Sequence, residues 1–185
     1  MADHSRRRER SRTAILRAAW DLCVEQPYAK VTIEGIASRA GVGKPTIYRW
    51  WPSKGAVILD AMMEEVSPAI GFTATGDDLE DLRTWLRSVA VMLADPNTGP
   101  VISGLVGAAQ HDADLARMWH ERVYLPTRTV TVERIRRVQA GGRLTDTDPQ
   151  ILADLLAAPI WFRFLLAGGD PTPEHADAVF QAVLR

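Results

Sequence analysis

Lys44, Thr46, Tyr48 and Arg49 fall within six consecutive residues, with Trp50 adjoining them and Lys54 four positions further on. Cations, hydroxyls and an indole grouped in this way donate hydrogen bonds to phosphate oxygens and base edges. Bond-breaking chemistry has no comparable set. The four histidines, His4, His111, His120 and His175, lack metal-ligand spacing, and the single Cys23 leaves no Cys/His cluster. Neither a glycine-rich phosphate loop nor a nucleophile elbow can be found. The chain is expected to bind rather than to catalyse, with no metal or cofactor.

Segment 32–51 has the pattern that would position such donors. Ile33, Ile36 and Ala37 form the apolar face of one helix, Ala40-Gly41-Val42 turns the corner, and Ile47 and Trp51 anchor a second, short helix. Lys44, Thr46, Tyr48 and Arg49 then point outward. Thr32 can cap the first helix, although Gly35 stands where a full capping box would carry Glu or Gln. Gly41 lowers the cost of a left-handed turn, and Pro45 is tolerated in a first helical turn. This is how a helix-turn-helix is built, and its second helix enters the major groove of duplex DNA. A buried helical hairpin would show the same periodicity but has no need of the outward donors. Thr32 and Lys54 are expected at phosphate, and Tyr48 and Trp50 at backbone or sugar. Lys44, Thr46 and Arg49 are expected at base edges, and Pro45 is counted in the DNA-binding set.

The charge distribution agrees. The net charge of the 185 residues is −1, yet residues 1–54 hold 11 Lys and Arg against 5 Asp and Glu, and residues 55–185 hold 11 against 18. A basic first third on an acidic remainder is the footprint of a nucleic-acid-binding head on a body with another task. Arg6, Arg7, Arg8, Arg10 and Arg12 form a basic, flexible arm over residues 1–12. The arm either follows phosphates or reaches into the minor groove, or else is a solvated tail. The first fifteen residues are charged and lack the apolar core of a signal peptide, and no apolar run reaches the length of a membrane span. The longest candidate, 151–167, is broken by Asp154, Pro159 and Arg163. A cytoplasmic location is expected, with Cys23 a buried filler on the stripe Ile15, Ala19, Leu22.

The run from Ile15 to Ile58 resembles the amino-terminal domain of the tetracycline-repressor (TetR) family of bacterial regulators. The match runs through Ile15 to Cys23, Tyr28, Val31 to Ala37, Ala40-Gly41-Val42, Lys44 to Tyr48 and Trp51-Pro52-Ser53-Lys54. Two residues depart from the family pattern: Pro27 stands in place of Gly and Cys23 in place of Phe. Both bear on packing, not on the DNA-facing set. The resemblance implies a helix-turn-helix domain over residues 13–58 and a regulatory, ligand-binding and dimerising domain over 59–185.

The remaining chain reads as helical throughout, giving an all-α fold of about nine helices. A connecting helix runs from Ser53-Lys54 to about Val66, and a loop from Gly71 to Gly76 leads to Asp77-Asp78 and a helix carrying Leu79, Leu82, Leu86, Val89 and Leu93. A small-residue helix follows over 101–110, then a long one over about 112–139 ended by Gly141-Gly142. Two more cover 150–167 and 173–184. The helix 150–167 is apolar almost all round, so either a partner chain or its own chain must cover several sides. The resemblance implies a homodimer, with Leu152, Leu155, Leu156, Ile160, Arg163, Val179, Phe180 and Val183 at the interface and a near-palindromic operator in duplex DNA. It also implies a pocket for an unidentified, largely apolar small-molecule effector. Candidates for its lining are Trp85, Met92, Val106, Trp119, Trp161, Phe164 and Leu165, with His111, Gln110, His120 or Arg163 as polar groups. The same aromatic residues suit a plain core. By resemblance the protein represses transcription until the effector lowers its DNA affinity. Rival readings are an interaction module with a vestigial helix-turn-helix, and a head fused to a catalytic helical body, for which no acidic triad is present.

Overall fold

The computed structural model describes the backbone of residues 2–70 and 74–184, and the side chains of this range other than 2–5, 7 and 67–70. Its elements are α1 (Ala2–Glu25), a 3-10 turn (Tyr28–Lys30), α2 (Ile33–Ala40), α3 (Lys44–Tyr48), α4 (Lys54–Ile70), α5 (Asp78–Ala94), α6 (Thr98–Ala109), α7 (Ala113–Trp119), a π-helical turn (His120–Tyr124), α8 (Leu125–Ala140), α9 (Pro149–Leu165) and α10 (Pro173–Gln181). With 113–140 counted as one helix interrupted by its π turn, nine helices stand among the described residues. The only bridge of β type among them is the isolated pairing of Leu144 with Leu184.

Several boundaries differ from expectation, each for a local reason. The arm 1–12 is not a flexible lead-in: α1 begins at Ala2 and runs unbroken through Arg6, Arg8, Arg10 and Arg12. No Gly or Pro interrupts that stretch, and its arginines are good helix formers. The connecting helix continues past Val66 to Ile70, so that Pro68 costs one bond in the last turn. Residues 71–73 of the expected loop lie outside the described residues. Asp77 caps α5, accepting from the amides of Leu79 and Glu80, and Asp95 holds the start of α6 through the amides of Asn97 and Thr98. The long helix after Asp112 widens to π geometry just ahead of Pro126, whose missing N–H and bulky ring break the α ladder. Asp148 and Thr172 cap α9 and α10.

The chain forms two compact units. The first combines Met1–Val66 with Pro100–Trp119, and the second combines Ser67–Gly99 with His120–Arg185. A single division after residue 58 therefore does not describe the packing. Segment 100–119 belongs with the head because α6 lies directly on the 3-10 turn. A Cβ at Gly104 would come within 2.6 Å of Tyr28 Cβ, and one at Gly55 within 2.9 Å of Leu115 Cδ2. Ile15, Ile36, Ile47, Ile58, Leu59, Leu105 and Leu115 make the first core. In the second, α5, α8, α9 and α10 bury Leu82, Leu86, Leu93, Ile135, Leu156, Ile160 and Phe180. Buried Asp81 accepts from the Thr75 hydroxyl at 2.7 Å and from Arg134 at 2.6 Å, which satisfies a charge that would otherwise be costly there.

Candidate nucleic-acid interface

The helix-turn-helix forms because each junction has the residue type its geometry demands. The Thr32 hydroxyl accepts the Gly35 N–H at 3.0 Å, capping α2. Gly41 then takes φ 66° and ψ 32°, a left-handed conformation that favours glycine, and the Val42 N–H returns to the Ala37 carbonyl at 3.0 Å. Pro45 sits in the first turn of α3, where its lack of an N–H costs no helical bond. Beyond Tyr48, the amides of Trp50 and Trp51 both reach the Ile47 carbonyl, and this turn brings Trp51 into the core at 4% exposure. Trp51 Nε1 donates to Asp60 Oδ2 on α4 at 2.8 Å. On the far side, Arg39 of α2 makes a bidentate pair with Glu25 at the end of α1, at 2.7 and 2.6 Å. Both helices of the motif are thus fixed to their neighbours by side chains as well as by apolar packing.

Most of the expected DNA-facing set emerges together. Thr32, Lys44, Pro45, Tyr48 and Arg49 are exposed, while Thr46 and Trp50 are half-buried at the edge of the same surface. Lys54 is not part of the open set. Its ammonium donates to the Tyr28 carbonyl at 2.9 Å and lies 4.2 Å from the Tyr28 ring centroid, which ties the start of α4 to the 3-10 turn. Burial there holds the Lys54 pKa below the usual lysine range. One participant escaped the sequence reading: Glu34, whose carboxylate sits 2.6 Å from Lys44 Nζ. Ten residues separate the two, and no helical period links them, since the turn at Gly41 brings them together. Cys23 is buried as expected, and burial pushes its thiol up to about 11, which leaves it unreactive at neutral pH.

The residues expected at a dimer interface separate into two groups. Leu152, Leu156, Ile160, Phe180 and Val183 are buried within the chain and so cannot meet a partner. Leu155, also among the expected residues, is exposed, and with Ile151, Phe162 and Leu165 of α9 and Leu166 just after it forms an apolar face, with Phe162 at 59% and Leu166 at 75% exposure. Arg163 is exposed beside this face, and Val179 is half-buried. A helix apolar on every side does not reveal which side its own chain takes. The residues expected to line an effector pocket also divide. Val106, His111 and Trp119 belong to the first compact unit, and Trp85, Met92, His120, Trp161, Phe164 and Leu165 to the second. His111 and His120 are exposed. Within the second unit Trp161 and Phe164 meet edge to face at 6.1 Å. An open hollow of about 720 Å³ in that unit is lined by Ala158, Pro159, Phe162, Arg163, Ala167, Gly169 and His175, so that of the expected pocket residues it takes in Arg163.

An all-helical chain with a capped, glycine-turned helix pair and an outward cationic face defines a helix-turn-helix DNA-binding protein. The family model for bacterial regulatory proteins of the tetR family matches residues 15–61, and that for the tetracyclin repressor-like C-terminal domain matches residues 72–183. The chain belongs to the TetR family: it is a DNA-binding transcriptional regulator and not an enzyme. It is 34% identical over 178 residues to the HTH-type transcriptional regulator YdeS of Bacillus subtilis (strain 168), spanning 95% of this chain and 89% of YdeS. It is 28% identical over 147 residues to the regulator Rv2250c of Mycobacterium tuberculosis (strain ATCC 25618 / H37Rv), spanning 77% and 74% of the two. The crystal structure of the TetR family regulator SCO0332 superposes with a TM-score of 0.75 at 34% identity, covering 92% of this chain and 94% of that one. No single helix among the described residues is long and apolar enough to cross a membrane.

Proposed function

We propose that the protein is a cytoplasmic, homodimeric repressor that holds a near-palindromic operator and releases it when a small, largely apolar molecule binds its helical body. The observation that carries this reading is the surface of Thr32, Lys44, Pro45, Thr46, Tyr48 and Arg49, raised on a core fixed by Ile47 and Trp51. Lys44, Thr46 and Arg49 suit base edges, and Thr32 and Tyr48 suit phosphate and sugar. Lys54 acts from behind, as the residue that sets α4 against Tyr28. The unpartnered apolar stripe of Ile151, Leu155 and Phe162 on α9 and Leu166 at its end supports self-association, because a two-fold axis lets one stripe cover its own copy. Two heads then meet two half-sites about one DNA turn or more apart.

An effector that favours a head spacing unlike that of the operator must lower DNA affinity, and the operator must lower effector affinity by the same factor. Trp85, Met92, Trp161 and Phe164 supply apolar lining within the second unit for such a ligand. The test is fluorescence anisotropy on labelled duplex from upstream of the protein's own gene, with light scattering for mass. Saturable binding by a dimer, lost in the Lys44→Ala/Tyr48→Ala double variant, is expected. A monomer with no preference for that duplex over an unrelated one would overturn the reading.

A further inference from the structure

We propose that the first three turns of α1 are a second DNA-gripping element, in which Arg6 and Arg10 neutralise duplex phosphates flanking the base pairs met by α3. The inference rests on the DNA-binding reading above and extends its surface. Its basis is the way the amino-terminal turns are fastened. The buried stripe of α1, Ile15, Ala19 and Leu22, continues backwards at helical spacing to Arg12 and Arg8. Both arginines find partners on the head. Arg12 Nη1 lies 2.6 Å from Glu64 Oε1 on α4, and the Arg8 guanidinium carbon lies 5.3 Å from the Trp50 ring centroid. A cation so placed over an indole is held by the quadrupole of the ring. Two anchors one helical turn apart fix the rotation of the extension and seat it beside Trp50, which follows Tyr48 and Arg49 directly.

Charge names the occupant. Residues 1–12 hold five arginines against Asp3 and Glu9. Arg6, Arg8 and Arg10 are exposed, and neither Arg6 nor Arg10 is held by a carboxylate among the described residues. Arg6 and Arg10 are four apart and so share one face, on which Arg17 follows. This row of guanidinium groups is exposed on the face of α1 opposite its buried stripe, while Arg8 on the stripe side holds the extension against Trp50. Guanidinium donors match phosphate oxygens in geometry as well as in charge. Phosphate contacts carry no sequence information, so the element adds affinity and registers the head on the duplex.

The experiment uses the full chain and a 30-base-pair duplex that it selects from a randomised pool, with affinity followed against salt. Wild type, Arg6→Gln/Arg10→Gln, Arg6→Lys/Arg10→Lys and Lys44→Ala are compared. Removing two phosphate contacts from each head, four per dimer, should lower the slope of log K against log salt by about 3.6 and weaken binding by about a hundredfold or more at 0.15 M salt. The lysine variant should keep most of the slope. The glutamine variant should weaken binding to an unrelated duplex by a similar factor. If the glutamine variant matches wild type in slope and affinity while Lys44→Ala is impaired, the inference is overturned and the DNA-binding reading stands. A lysine variant as impaired as the glutamine one overturns the assignment to phosphate charge. If wild type selects no duplex even at 0.05 M salt, the reading and the inference fall together.

Discussion

The ammonium of Lys44, at the start of α3, lies 2.6 Å from the carboxylate of Glu34 on α2. Both side chains are at least half exposed, so the pair contributes little to folding. Its hydrogen bond holds the Glu34 carboxyl below the usual carboxylate range, so that Glu34 is fully charged wherever DNA would be met. Duplex DNA must therefore compete with Glu34 for Lys44 and approach a negative group as it does so. Glu34→Gln is expected to tighten DNA binding several-fold, and Lys44→Ala to weaken it, in anisotropy titrations at fixed salt. Equal affinity of Glu34→Gln and wild type would show that Lys44 makes no contact with the duplex.

Trp51 separates packing from polarity. Trp51→Ala empties an aromatic site in the head core and should cost about 3–5 kcal/mol. Trp51→Phe keeps most of the ring volume but removes the donor to Asp60 Oδ2, with an expected cost of about 1–3 kcal/mol. Urea unfolding followed by circular dichroism measures both. Comparable losses in the two variants would mean that the hydrogen bond, rather than the ring, holds the site.

Acid should loosen the second unit, but only once its paired carboxylates begin to protonate. Asp177 accepts from Arg87 at 2.7 and 2.6 Å and from Arg83 at 2.9 Å, and these bonds hold its pKa far below the ordinary value. Asp78 is lowered by Arg137, and Asp81 by Thr75 and then Arg134. A carboxylate with a depressed folded pKa stabilises the fold above its unfolded value of about 3.9, and this contribution fades as pH falls through the folded value. Melting temperature should hold from pH 7 to about 5 and fall progressively below about pH 4. Asp177→Asn should melt lower at neutral pH and show a shallower acid decline. A parallel curve displaced by a constant amount would remove Asp177 from this explanation.

The two faces of α9 make opposite predictions. Phe162→Asp and Leu166→Glu alter exposed side chains and should leave melting nearly unchanged while converting a dimer to a monomer in light scattering. Leu156→Asp places a charge where the chain is closed on itself, and should unfold the protein or prevent its accumulation. A dimer that survives Phe162→Asp would move the interface off this stripe.

What could be read from residue order was what local geometry makes obligatory. Thr32, Gly41 and Pro45 announce a cap, a left-handed turn and a helix start, and Ile47 and Trp51 declare their burial by period, so the helix-turn-helix and its outward residues were legible. Asp77 marked a helix start in the same way. Features that depend on distant partners were not. Whether residues 2–12 continue α1 is decided with Trp50 and Glu64, and whether Lys54 points outward is decided by Tyr28. Leu152 and Ile151 are neighbours of like chemistry, yet one is buried and the other exposed. Pro126 was visible in the sequence, but the π turn with which the chain accommodates it was not. Glu34 escaped because its pairing crosses a turn.

The close fit of Gly104 on Tyr28 bears on how freely such regulators exchange parts. By sequence, segment 100–119 lies inside the carboxy-terminal family match, whereas by packing it belongs to the head. A hybrid joined between residues 61 and 72 would set a foreign α6 on a borrowed 3-10 turn. Any relative with a side chain at the position of Gly104 would drive it into the aromatic residue below. The natural unit of transplantation is accordingly discontinuous: a head moves intact only when 100–119 travels with it.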